Sequence, residues 1–193
     1  MSILDAGQLW LPLLIGGGVS FVTSVFLVWT QHLHGHLSTD THIGIQKFHT
    51  DPTPRVGGVA IVLGAIVSWA VAPMELFGGL LWPLFLAGIP AFAFGLLEDI
   101  TKRVSVRARL LATMACGVLG YAITGLAITD VNIPGVDWFL GFTVVAVAFT
   151  AFAVGGVANA INIIDGFNGL SSGTVVIIST GLALISYGTG DVH

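Results

Sequence analysis

In a chain of 193 residues, 55% are hydrophobic, only 8% are charged and the mean hydropathy is +0.96, which is too apolar for an ordinary soluble domain. The net charge of −4 and a pI near 5.7 give no electrostatic footprint for nucleic acid, and the single Cys116 excludes an internal disulfide.

Apolar runs close to the ~20 residues that a helix needs to cross about 30 Å of hydrocarbon recur at 9–30, 56–73, 80–97, 111–128, 138–158 and 173–187. The runs are continuous, without the period-two alternation that a membrane β-barrel requires. The sequence therefore predicts an all-α fold, a polytopic integral membrane bundle of about six transmembrane helices, with residues 1–193 forming a single transmembrane domain. Asp5 is the sole charge ahead of the first run, which has no basic flank and reads as an uncleaved span, not a signal peptide.

All six Lys and Arg residues fall in two segments between runs: Lys47 and Arg55 in the first, Lys102, Arg103, Arg107 and Arg109 in the second. The positive-inside rule assigns both segments to the cytoplasm and the N-terminus to the outside, making 159–172 the third cytoplasmic loop. Glu75, Asp130 and Asp137 fall on the opposite side, whose loops carry no Lys or Arg.

The first cytoplasmic loop contains Lys47, His49, Pro52, Pro54 and Arg55 ahead of Gly57-Gly58. Its prolines stiffen the approach to a helix, and its cationic and imidazole groups suit phosphate or nucleotide contacts. Upstream, His32, His34 and His36 would align on one side of an extended chain. A polar juxtamembrane segment explains them better than zinc, which takes four ligands in structural sites.

The third run ends in Glu98 and Asp99. Carboxylates at a helix C-terminus oppose the macrodipole at about 0.3–1 kcal/mol each, and Lys102 and Arg103 just beyond would recover some of this. Neighbouring helical side chains point about 100° apart, so the two carboxylates suit different tasks. The plain alternative is a solvated pair balanced by nearby cations. The cluster from Lys102 to Arg109 reads as topogenic and could also touch anionic lipid headgroups. Cys116 lies within a run and reads as a packing residue.

Between the fifth and sixth runs, Asn159, Asn162, Asp165, Gly166, Asn168, Gly169 and Gly173 concentrate polar and flexible residues. Glycines admit close approach of a ligand, and N–H groups at a helix start suit phosphate oxygens. Asn and Asp can ligate Mg²⁺ or read a base edge. A turn with a capping Asn or Ser needs fewer of these residues.

In order and spacing, these motifs resemble the polyprenyl-phosphate N-acetylhexosamine-1-phosphate transferases, a family related to the phospho-MurNAc-pentapeptide translocases. Lys47, His49, Pro54, Arg55, Gly57 and Gly58 resemble the family's first cytoplasmic motif. Glu98 and Asp99 occupy its paired aspartates, followed by a similar segment at Arg107 to Leu110, and Asn159, Asn162, Asp165, Gly166, Gly169 and Leu170 resemble its Asn-rich Asp-Gly loop. Two residues depart from the pattern: Glu98 stands for the usual Asp, and Asn168 for the second Asp of the loop. Family members have about ten spans, so the chain reads as an N-terminal portion.

The resemblance implies transfer of an N-acetylhexosamine-1-phosphate from a UDP-N-acetylhexosamine to undecaprenyl phosphate, with release of UMP and Mg²⁺ as cofactor, in surface-polysaccharide or cell-wall biosynthesis. Pro54 and Arg55 suit the O-antigen-like branch. Asp99, with Glu98 beside it, would act on the polyprenyl phosphate. Asn162, Asp99 and Asp165 would serve the metal, Lys47, His49 and Arg55 would hold phosphate, and Asp165 and Asn168 would read the nucleotide. The expected setting is the bacterial inner membrane, among its lipids, with the active face cytoplasmic and a homo-oligomer left open. A polytopic transporter is the alternative of another class, although transport sites put ionisable groups near the midplane, where these runs have none evident. An inactive truncated scaffold is a third reading.

Overall fold

The computed structural model describes residues 6–33, 56–72, 81–165 and 169–189. Among these the chain is helical and without strands: α1 (Ala6–Trp29), α2 (Gly57–Val71), α3 (Leu81–Thr101), α4 (Val106–Thr124), α5 (Val136–Leu140), α6 (Thr143–Ile164) and α7 (Leu170–Thr189). Trp10–Trp29, Trp82–Thr101, Val106–Thr124 and Thr143–Ile164 are long and apolar enough to cross a membrane, while Gly57–Val71 and Leu170–Ser186 are shorter apolar helices. The chain is thus an all-α, polytopic membrane protein.

Two boundaries differ from the hydropathy pattern, each through local backbone chemistry. The fourth helix begins at Val106 instead of near 111, because the Ser105 side chain caps it by accepting from the Ala108 N–H at 3.2 Å. It stops at Gly125, which takes the left-handed conformation at φ 72° and closes the last turn onto the Tyr121 carbonyl. The fifth run is divided: Val136–Leu140 forms its own short helix, and the crossing helix runs from Thr143 to Ile164, six residues past the expected end at 158. Arg107 and Arg109 are therefore helical, as are Asn159 and Asn162.

The interior is built from small residues. The buried apolar side chains are Ala60, Ala87, Ala112, Leu140, Ala146 and Ala151, while Phe21, Trp29, Val144 and Ile177 are at least 71% exposed. This inverts a soluble core, as expected where lipid covers the large side chains and close packing, not burial from water, holds helices together. Between α1 and α2, a β-carbon added at Gly16 would stand 2.6 Å from Ser68 Cβ, and one at Gly64 would stand 2.6 Å from the Gly16 carbonyl. The Ser68 hydroxyl also donates to the Pro12 carbonyl at 2.9 Å. Between α4 and α6, a β-carbon at Gly117 would stand 2.7 Å from Ala151 Cα.

These contacts also fix direction. Gly117 meets Ala151 while Gly155 meets Met114, so α4 and α6 are antiparallel. Ala87 approaches Gly120, and Glu98 reaches Arg109, so α3 and α4 are antiparallel too. The α1–α2 pair is likewise antiparallel, and Trp69 near the end of α2 packs on Trp82 and Phe85 at the start of α3, with ring centroids 5.1 and 4.6 Å apart. In consequence the end of α1, the start of α2, the end of α3, the start of α4 and the end of α6 lie toward one end of the bundle. The α7 helix packs lightly on α6.

Candidate functional site

The end of the bundle defined by α3, α4 and α6 gathers the polar residues. Glu98 and Asp99 lie in the last turn of α3, both half-buried. A tight turn follows. The Lys102 N–H donates to the Glu98 carbonyl at 2.7 Å, Lys102 takes φ 55°, and the Arg103 N–H donates to the Thr101 hydroxyl at 3.3 Å before Ser105 starts α4. This brevity folds α4 straight back along α3. The Arg109 guanidinium then reaches the Glu98 carboxylate, with Nη1 to Oε2 at 2.7 Å and the side chains 23% and 24% exposed.

The α4–α6 register carries the arrangement to the third element. With Gly155 against Met114 and Leu110, one further helical turn brings Asn159 level with Arg109, and Asn162 lies a turn closer to the helix end. Asn159 is half-buried and Asn162 exposed. Asp165 follows as the exposed C-cap of α6 and accepts from the Ser171 hydroxyl at 2.6 Å, tying the end of α6 to the first turn of α7. Gly169, at φ 79°, precedes α7, where a side chain would be strained.

The structure thus brings Glu98, Asp99, Asn162 and Asp165 to one end of the bundle. Lys47, His49, Arg55 and Asn168 lie outside the described residues, as do His34 and His36. The polar segment expected as a loop from 159 to 172 is helical at both of its ends: Asn159 and Asn162 project from the last turns of α6, where their spacing is set by the helix, and residues 170–172 open α7. The plain turn reading accounts for the Asp165–Ser171 bond and leaves the asparagines unexplained.

Sequence reasoning passed over Arg109, which it grouped with the topogenic cations. A usable signal was present. Glu98 and Arg109 stand equally far from the middle of the polar turn, and residues so placed face each other across an antiparallel helix pair.

Glu98, Asp99, Asn162 and Asp165 offer hard oxygen donors, the set that Mg²⁺ prefers. Among the described residues no group of three or more His, Cys, Asp or Glu converges tightly enough to hold a metal alone.

Residues 81–193 match the family model for glycosyl transferase family 4. Curated relatives include the phospho-N-acetylmuramoyl-pentapeptide-transferase of Clostridium perfringens strain 13, 27% identical over 147 residues, which are 72% of this chain and 46% of that protein. The enzyme of that name from Streptococcus equi subsp. zooepidemicus MGCS10565 is 28% identical over 77% of this chain and 50% of its own length. The one from Leptospira biflexa strain Patoc 1 (Ames) is 32% identical over 72% and 43%. The chain spans about half the length of the curated relatives it matches. No solved structure matches it. With membrane-crossing helices, bacterial relatives and a family match over more than half its length, the chain is a multi-pass protein of the bacterial inner membrane and belongs to glycosyl transferase family 4.

Proposed function

We propose that the protein transfers an N-acetylhexosamine-1-phosphate from a UDP-sugar to undecaprenyl phosphate at the cytoplasmic face. The observation that carries this reading is the position of the Glu98–Asp99 pair at the same end of the bundle as Asn162 and Asp165. An oxygen of the lipid phosphate would attack the sugar-linked phosphorus. One phosphoanhydride bond forms as the bond to the departing UMP breaks, so the exchange needs little driving force. The barrier lies in bringing anions together, since two unit charges ~4 Å apart repel by about 4 kcal/mol at an effective dielectric near 20.

Asp99 would position the lipid phosphate or accept its proton, and Asn162, Asp99 and Asp165 would hold Mg²⁺. When bound, that ion supplies charge neutralisation between the phosphates. Ser171 keeps one oxygen of Asp165 engaged, which would fix the carboxylate's direction toward nucleotide or metal. Lys47, His49 and Arg55 would contribute phosphate contacts, and Asn168 a nucleotide contact. The basic segments on this side favour a cytoplasmic active face.

The first-loop Pro54-Arg55 pattern favours an amino sugar of a surface glycan as donor. A second reading, a UDP-linked muramoyl-pentapeptide donor, is favoured by the names of the relatives. The two are separated by measuring UMP release with undecaprenyl phosphate and each donor in turn. Release with UDP-N-acetylhexosamine, at a rate at least about tenfold above that with the muramoyl-pentapeptide donor, is expected for the first reading. The reverse preference would establish the second.

A further inference from the structure

Around the turn between α3 and α4 the cations Lys102, Arg103, Arg107 and Arg109 outnumber the carboxylates Glu98 and Asp99 by two, so positive charge remains whichever pairs form. Arg109 is joined to Glu98. Arg103 and Arg107 are exposed, and among the described residues neither guanidinium has an ion-pair partner. Arg107 is the second residue of α4, where the macrodipole disfavours a cation, and no acid stands in that turn.

The helix face decides what this charge meets. Successive helical residues turn by about 100°, so Arg107 stands about 200° round α4 from Arg109 and away from Glu98. Leu111 and Val118 fall within about 40° of Arg107. They are 65% and 46% exposed on a membrane-crossing helix, whereas the buried residues of α4, Ala112, Thr113, Gly117 and Gly120, lie on its other sides. Arg107 therefore ends a lipid-facing stripe, one turn beyond Leu111, where a guanidinium reaches headgroup phosphates. Keeping this turn in the cytoplasm needs cations somewhere within it, not on this face of α4. We infer that Arg103 and Arg107 hold the phosphate of an anionic diacyl phospholipid of the inner leaflet, with its acyl chains along Leu111 and Val118. Lying across α4 from Glu98, the site takes a resident membrane lipid and not the lipid whose phosphate would react.

The test titrates the purified protein in neutral detergent with phosphatidylglycerol, phosphatidylcholine or undecaprenyl phosphate and counts bound lipid by native mass spectrometry. Phosphatidylglycerol should be retained in preference to phosphatidylcholine. Arg103→Gln and Arg107→Gln are each expected to weaken its retention about fivefold, and the double variant about 30-fold, with phosphatidylcholine unaffected. The single variants decide the matter should the double variant not fold, and no loss in either would overturn the site. Equal retention of the two diacyl lipids by the unaltered protein would overturn it too. Displacement of bound phosphatidylglycerol by equimolar undecaprenyl phosphate would assign the patch to the reacting lipid and contradict the inference.

Discussion

Lys102 holds φ at 55°, in the left-handed region that costs a side-chain-bearing residue about 1–2 kcal/mol. The strain has a use, because it turns the chain out of the helix directly after the Lys102 N–H has closed on the Glu98 carbonyl, ending α3 within one residue. A looser turn would move α4 out of register and separate Arg109 from Glu98. Lys102→Gly relieves the backbone and should leave the thermal midpoint unchanged or slightly higher. Lys102→Val adds a β-branch where φ is positive and should destabilise by about 1–2 kcal/mol. Differential scanning fluorimetry of both variants checks this, and equal midpoints would show that the turn bears no strain.

At the scale of the helix, close approach is possible only where the side chain ends at hydrogen or methyl. A β-carbon at Gly117 would meet the backbone of Ala151, which cannot rotate away, so Gly117→Ala should destabilise by about 1–3 kcal/mol and weaken the α4–α6 contact. Gly156 on α6 faces open space, and Gly156→Ala should be neutral or stabilising by up to about 1 kcal/mol through helix propensity. Thermal unfolding in detergent distinguishes them. The same scale shows what the sequence could disclose. Hydropathy located the crossing segments because a span must be apolar along its length, whereas helix limits depended on Ser105 and Gly125, single residues whose backbone roles hydropathy does not register. Asn159 and Asn162 were read as loop because they are polar, yet a helix extending past the apolar zone carries them just as well.

Across the whole molecule, the two ends of the bundle differ in chemistry. One end carries Glu98, Asp99, Arg109, Asn162 and Asp165. The other carries the Trp69–Trp82–Phe85 cluster and the exposed Trp138, with Phe139 and Phe142 edge-on at 4.8 and 5.3 Å from the Trp138 ring, in the manner of an interfacial aromatic belt. Beside them Asp137 accepts from the Val131 N–H and Asp130 from the Asn132 N–H, so these acids hold their own loop together. The charge distribution made this polarity legible in advance. The Glu98–Arg109 pair is legible not from charge alone but from spacing about the short turn at Lys102, which sets the α3–α4 register together with the approach of Ala87 to Gly120.

The measurement that bears most directly on the account is UMP release from a UDP-amino sugar and undecaprenyl phosphate by the protein and its Asp99→Asn variant, with Mg²⁺ present. Loss of about 100-fold or more in the variant, at an unchanged thermal midpoint, is the expected result. Release by Asp99→Asn at the unaltered rate would contradict the claim that the end of α3 is where the phosphates meet.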